Sequence, residues 1–139
     1  MKRDFVVALT LVALSFFTAV TGFAQNKVKA DIPFAFQVGK ASLPSGTYIV
    51  SEIGDHSIMI RNTSAVNSAA LTNYNSADTL RTGSPRMLFH KYGNTYFLAE
   101  ILGGSGASGM QLPETDREKE LRAFNLGFAS DEVVIVALK

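Results

Sequence analysis

The sequence predicts a mainly β fold, a small antiparallel β-barrel or β-sandwich of about seven strands with one short C-terminal helix. Three observations lead there. Apolar residues occupy alternate positions from Val28 to Val38, the period of a strand with one buried face. Glycine-led pairs, Gly54-Asp55 and Gly93-Asn94, interrupt two later apolar stretches, as hairpin turns do. Helix-start chemistry occurs only after Thr115, where Thr115-Asp116-Arg117-Glu118 fits a capping box.

The first 24 residues stand apart from this domain. Lys2 and Arg3 precede an almost wholly apolar run from Phe5 to Val20, and Gly22-Phe23-Ala24 places small residues where a signal peptidase cleaves. The pattern is that of a secretory signal peptide over residues 1–24, leaving 25–139 as a single β-rich domain. The apolar run is short of the ~20 residues that span a bilayer, so no transmembrane span is expected in the mature chain. Cleavage removes Lys2, Arg3 and Asp4 together and takes the formal charge from +1 to zero, with eleven basic and eleven acidic residues remaining. A neutral surface offers no electrostatic footprint for nucleic acid. The chain has no cysteine, which excludes disulfides, thiol nucleophiles, cysteine-based zinc sites and a lipidated cysteine. The expected address is periplasmic or extracellular.

Along the mature chain, Val28, Ala30, Ile32, Phe34, Phe36 and Val38 form the buried face of the first strand. Pro33 lies on its outer set, where a missing N–H suits an edge or a bulge. Leu43-Pro44-Ser45-Gly46 reads as a turn. Pairing about a two-residue turn at Gly54-Asp55 places Ile49, Ile53, Ile58 and Ile60 on one face, with Glu52, Ser57 and Arg61 on the other. A weaker strand is expected near Ala69–Tyr74, followed by a loop. Gly93-Asn94 joins Arg86–Tyr92 to Thr95–Leu102, a hairpin with Met87, Phe89 and Leu98 on one face and Leu88, Tyr92 and Phe97 on the other. Large apolar groups on both faces imply burial on both, or an interior lined on one side. Gly103–Gly109 reads as a glycine-serine loop. In the helix that follows, Glu118 and Arg122 are spaced as an i,i+4 pair, Leu121 and Phe124 form an apolar edge, and Gly127 supplies a stop. The closing run Val133–Leu138 suits a strand covered on both sides.

Few motifs carry chemistry. Gly104-Ser105-Gly106-Ala107-Ser108-Gly109 matches G-x-G-x-x-G in letters, but no helix begins within the glycines and acidic residues stand where phosphate would sit. Ser105 and Ser108 do not complete a G-x-S-x-G elbow. Asn62-Thr63-Ser64 is a chance sequon outside a eukaryotic secretory route. The only histidines are His56, expected exposed at a turn, and His90, mid-strand opposite Phe97; no HxH or HxxxH spacing supports a metal. Short strands interrupted by a charged helix do not suit an outer-membrane barrel. No cofactor, metal or catalytic residue is therefore assigned. His90 with Glu100 is the one pair close enough for acid–base work, though regular pairing puts the two on opposite faces. Phe89, Tyr92 and Phe97 are the candidates for contact with an apolar ligand.

Three blocks resemble a known family. Ile32-Pro33-Phe34-Ala35-Phe36-Gln37-Val38-Gly39 with Leu43-Pro44-Ser45-Gly46-Thr47-Tyr48 is similar to the opening of small exported proteins abundant in acidobacterial genomes. Leu88–Leu98 resembles the central hairpin of that family, and Gly109-Met110-Gln111-Leu112-Pro113 with Glu118-Lys119-Glu120-Leu121 its Gly-x-x-Leu-Pro and charged-helix segment. The resemblance implies a bacterial, Gram-negative, exported β-rich domain and carries over no catalytic residue. The expected role is a non-enzymatic exported domain that binds a cell-envelope component, a partner protein or a small apolar ligand. The alternatives are a small periplasmic hydrolase or isomerase using His90 with a carboxylate, and a purely structural envelope protein.

Overall fold

A computed structural model describes residues 27–77, 83–103, 109–125 and 132–139. The leader at 1–24, the Gly104–Ser108 glycine run, residues 78–82 of the loop expected after Tyr74, and Gly127 lie outside them, while the start of that expected loop, Asn75–Ala77, is a strand. The described chain runs β1 (Lys27–Ile32), β2 (Phe36–Val38), β3 (Ala41–Leu43), β4 (Gly46–Glu52), β5 (Ser57–Asn62), β6 (Ala69–Asn73), β7 (Asn75–Ala77), β8 (Arg86–Tyr92), β9 (Thr95–Leu102), β10 (Gly109–Gln111), α1 (Asp116–Asn125) and β11 (Glu132–Ala137). The described residues are mainly β with one helix, as the periodicities predict. Among the described residues no helix is long and apolar enough to cross a membrane.

Two sheets carry the architecture. One has the order β1-β4-β5-β6, the other β11-β8-β9-β10-β7, with the β2–β3 hairpin attached to β9. They meet at both ends. The chain passes from β6 into β7 through Tyr74 alone, a strand that bends from one sheet into the next. At the opposite seam Ala30 bridges Leu138, and Lys29 and Lys139 exchange backbone N–H···O bonds of 3.2 and 2.8 Å. The outcome is a curled wall around a single core, in which Phe36, Tyr48, Ile58, Ile60, Met87 and Phe89 are fully enclosed. Phe36 meets Tyr48 and Phe89 edge-on, and Phe34 stacks on Tyr96 with centroids 4.0 Å apart.

The strand predicted over Val28–Val38 keeps its alternation but divides. Ala30, Ile32, Phe36 and Val38 are buried, while exposed Pro33 sits where β1 leaves the first sheet. Proline cannot donate to a ladder, so the chain changes sheets there.

The β4–β5 hairpin corrects the sequence reading. The loop is longer than Gly54-Asp55: Glu52 pairs with Ile58, and the Ile53 N–H donates to the Ser57 carbonyl at 2.7 Å. Gly54, at φ 73°, supplies the reversal. The added loop residue shifts β4 by one position, and a one-residue slip turns every side chain to the other face. Tyr48 and Val50 therefore enter the core with Ile58 and Ile60, and Ile53 is left 44 % exposed.

The β8–β9 hairpin turns at Gly93-Asn94 as predicted, with Tyr92 opposite Thr95. Gly93 has φ 60° and, among the described residues, no non-glycine residue has positive φ, the pattern of a II′ turn. The closing strand departs from expectation. Val136 and Leu138 face the core, but Val133 and Ile135 are 49 % and 60 % exposed. The helix α1 packs on the neighbouring strand β8, and the second face of β11 is left open.

Candidate functional site

The side chains able to do chemistry gather on the outer face of the second sheet. Alternation along β8 sends Met87 and Phe89 inward and Leu88, His90 and Tyr92 outward. His90 lies opposite Phe97, and Tyr92 packs edge-on to both Phe97 and the His90 ring, at centroid separations of 6.0 and 6.3 Å. Tyr92 and Phe97 thus form a buried apolar floor beside a half-buried imidazole. Phe89 is not part of it. Fully enclosed, it packs edge-on against Phe34 and Phe36 in the core behind the sheet.

Regular pairing puts Glu100 on the face opposite His90, and the structure overturns that. Phe89 pairs with Leu98 but Leu88 pairs with Glu100, so β9 carries one extra residue, Ala99, at a bulge. A bulge reverses the parity of everything beyond it. Glu100 therefore shares the outer face with Leu88 and His90. The three consecutive buried residues Phe97, Leu98 and Ala99 are the signature of the same irregularity.

The carboxylate that His90 meets is a different one. His90 Nδ1 and Glu118 Oε1 are 2.8 Å apart, and Glu118 is buried, with its side chain only 5 % exposed. Helix α1 places it there. The Glu118 N–H donates to the Thr115 hydroxyl at 3.1 Å, the predicted N-cap, which sets the first turn above β8. The other half of the predicted capping box is replaced, because the Glu118 carboxylate turns to His90. The predicted Glu118–Arg122 pair is replaced as well: Arg122 bonds Glu114, one residue before the cap. His90 Nδ1 and one oxygen each from Glu114 and Glu118 lie within 4.8 Å of one another. The arrangement is one nitrogen from β8 and two carboxylates, one from α1 and one from the segment just before it, half-open to solvent through His90 and Glu114. Such a set can orient an imidazole, pass a proton or hold a cation.

Other sequence motifs find structural uses. Asn62 is buried, and its Oδ1 accepts the N–H groups of Ser64 and Ala65 at 2.8 and 2.9 Å, so the sequon asparagine holds a turn. His56 is exposed at the β4–β5 loop, edge-on to Tyr74. An open surface depression of about 390 Å³ lies between Asp31–Pro33 and Ser45–Thr47. Its one carboxylate, Asp31, already accepts from Thr47 at 2.7 Å and from Lys139 at 2.6 Å.

Sequence reasoning passed over Glu114 and Glu118 as functional residues. The available signal was the capping box, which placed Glu118 at a helix start but named a local partner for it. Comparison with protein-family models, curated proteins and solved structures gave no match for this chain.

Proposed function

We propose that this chain is an exported, non-enzymatic β-domain that binds a cell-envelope component through the outer face of its second sheet. The observation that carries the reading is the open half of β11, where Val133 and Ile135 stand 49 % and 60 % exposed directly across from His90 and Leu88. Exposed apolar groups rimmed by polar ones are where binding surfaces form. The space between the sheets is filled by Phe36, Tyr48 and Phe89, which favours the outer face over an apolar ligand carried inside. The leader-like first 24 residues agree with a partner in the envelope.

The test is co-sedimentation of the full chain, exported in a Gram-negative host, with washed envelope fragments. Wild type should pellet with the fragments. The Val133→Asp/Ile135→Asp double variant, altered only at exposed positions, should stay in the supernatant with unchanged thermal stability. Equal partition of the two proteins, or no pelleting of wild type, refutes the reading.

One observation favours a second reading, a small hydrolase or isomerase. A buried carboxylate 2.8 Å from His90 Nδ1 would fix the tautomer and orientation of a general base, with Glu118 in the place that the sequence suggested for Glu100. Retention of every measured activity in a folded His90→Ala variant would eliminate it.

A further inference from the structure

We infer that His90, Glu114 and Glu118 form a binding site for one divalent transition cation, with zinc the best-fitting probe. This goes beyond the envelope reading and does not depend on it, because the three residues lie at the α1–β8 junction and not on β11.

The argument starts from the position of Glu118. A carboxylate at the third position of a helix ordinarily reaches back to the cap. Here it is buried with its side chain 5 % exposed, and its Oε1 faces an imidazole nitrogen. Burying a carboxylate is costly without compensating partners, and the one this carboxylate meets is a nitrogen able to ligate a metal. Glu114 brings a second carboxylate to the same point, where Arg122 holds it. Two carboxylates converging on one nitrogen within 4.8 Å form a ligand set that a dication satisfies at once. Metal–ligand bonds of about 2.0–2.2 Å to nitrogen and oxygen place tetrahedral donors about 3.3–3.6 Å apart. The present 2.8 Å His90–Glu118 contact needs only a small opening to reach that spacing.

The remaining parts suit this use. Arg122 is 40 % exposed and lies at the solvent edge, so its guanidinium can swing out and release Glu114. Tyr92 and Phe97 beside His90 exclude water on the sheet side and strengthen electrostatic attraction. Imidazole with two carboxylates favours zinc, nickel or cobalt over magnesium or calcium, which prefer all-oxygen shells. Three protein ligands leave a fourth position for water or for a ligand atom from outside. Sequence spacing could not show the site, because His90 and Glu118 are 28 positions apart and no two ligands share a familiar interval except the Glu114–Glu118 pair around a helix start.

The test is zinc titration of the purified full chain by calorimetry, with equilibrium dialysis for stoichiometry. Wild type should bind one equivalent of zinc, with no comparable magnesium binding at the same concentration. His90→Ala and Glu114→Gln should each weaken zinc binding about tenfold or more, in line with the usual sensitivity of metal sites to their supporting groups. Arg122→Ala should bind at least as tightly as wild type, since Glu114 is already released. His56→Ala should leave zinc binding unchanged. Far-UV circular dichroism and melting in EDTA establish that Glu114→Gln and Arg122→Ala, both at half-exposed positions, are folded. The inference is overturned if wild type binds well under one equivalent, or if zinc binding survives both His90→Ala and Glu114→Gln. It is equally overturned if Arg122→Ala abolishes zinc binding in a folded protein. Envelope co-sedimentation repeated in EDTA keeps the two proposals apart, because loss of zinc binding with retained pelleting removes only this one.

Discussion

Replacing Val50 or Ile53 by threonine tests the β4 register directly. Regular pairing about Gly54-Asp55 makes Ile53 a core residue and turns Val50 outward. In the structure Val50 is 2 % exposed, between Val28 and Ile60 on the neighbouring strands, and Ile53 is 44 % exposed. Threonine keeps the β-branched shape, so Val50→Thr opens no cavity and retains strand propensity. Its cost is a hydroxyl placed among apolar side chains, about 2 kcal/mol. Ile53→Thr removes more apolar volume but at a half-open position, where about 0.5 kcal/mol is expected. With a urea m-value of about 1.5 kcal/mol/M, the denaturation midpoint should fall about 1.3 M for Val50→Thr and about 0.3 M for Ile53→Thr. The m-values should stay equal, which shows that stability alone has changed. If Ile53→Thr lowers the midpoint as much as Val50→Thr does, the shifted register is wrong.

Three further outcomes are expected. Phe89→Ala, at the meeting point of Phe34 and Phe36, should cost about 3–5 kcal/mol, visible in the urea midpoint and as lost near-UV dichroism; a cost under about 1 kcal/mol would place Phe89 outside the core. Gly93→Ala should cost about 1–2 kcal/mol by chemical denaturation for its left-handed backbone, and no more, because a Cβ there meets nothing within 4 Å. Asp31 has its pKa lowered from the ordinary 3.8 by hydrogen bonds from Lys139 and then Thr47. A lowered carboxylate stabilises the fold above its ordinary pKa and loses that contribution as pH falls through the lowered one. An NMR titration of Asp31 should therefore move up toward 3.8 in Lys139→Met, and an unchanged midpoint would show that Lys139 is not the cause.

Much of the architecture was legible because strand alternation, glycine turns and the Thr115 cap are local signals. The Gly93-Asn94 turn, the buried set Ala30, Ile32, Phe36 and Val38, and the start of α1 at Asp116 all follow from interactions within a few residues. The short strands were harder. β10 emerges from a glycine-serine stretch and is defined by its neighbours, pairing with β7 and β9. The closing run Val133–Leu138 is apolar throughout and so suggests a doubly covered strand, yet apolarity says nothing of where a helix lands. Of the site, His90 and its neighbours Tyr92 and Phe97 were visible, whereas Glu118 was assigned to the nearest partners within its own helix.

The two misplaced faces, Ile53 in β4 and Glu100 in β9, have one physical origin. Alternation encodes a face by counting, so a single uncounted residue inverts everything beyond it. The longer β4–β5 loop supplies one such residue and the Ala99 bulge the other. The apolar content on the two sides of each strand was too even to reveal the slip: Ile49 and Val50, or Leu98 and Ala99, satisfy either parity. The error over Glu118 is of a different kind. Helix rules offered it Thr115 and Arg122, and both would have been adequate on an exposed helix. Burial decides between them. Once α1 lies on β8, the inner face of its first turn no longer sees solvent, and the carboxylate must take the strongest partner across the interface. His90 is that partner, and Arg122, left at the rim, turns to Glu114. The residues whose local rule fails are thus the ones on which the helix–sheet contact is built.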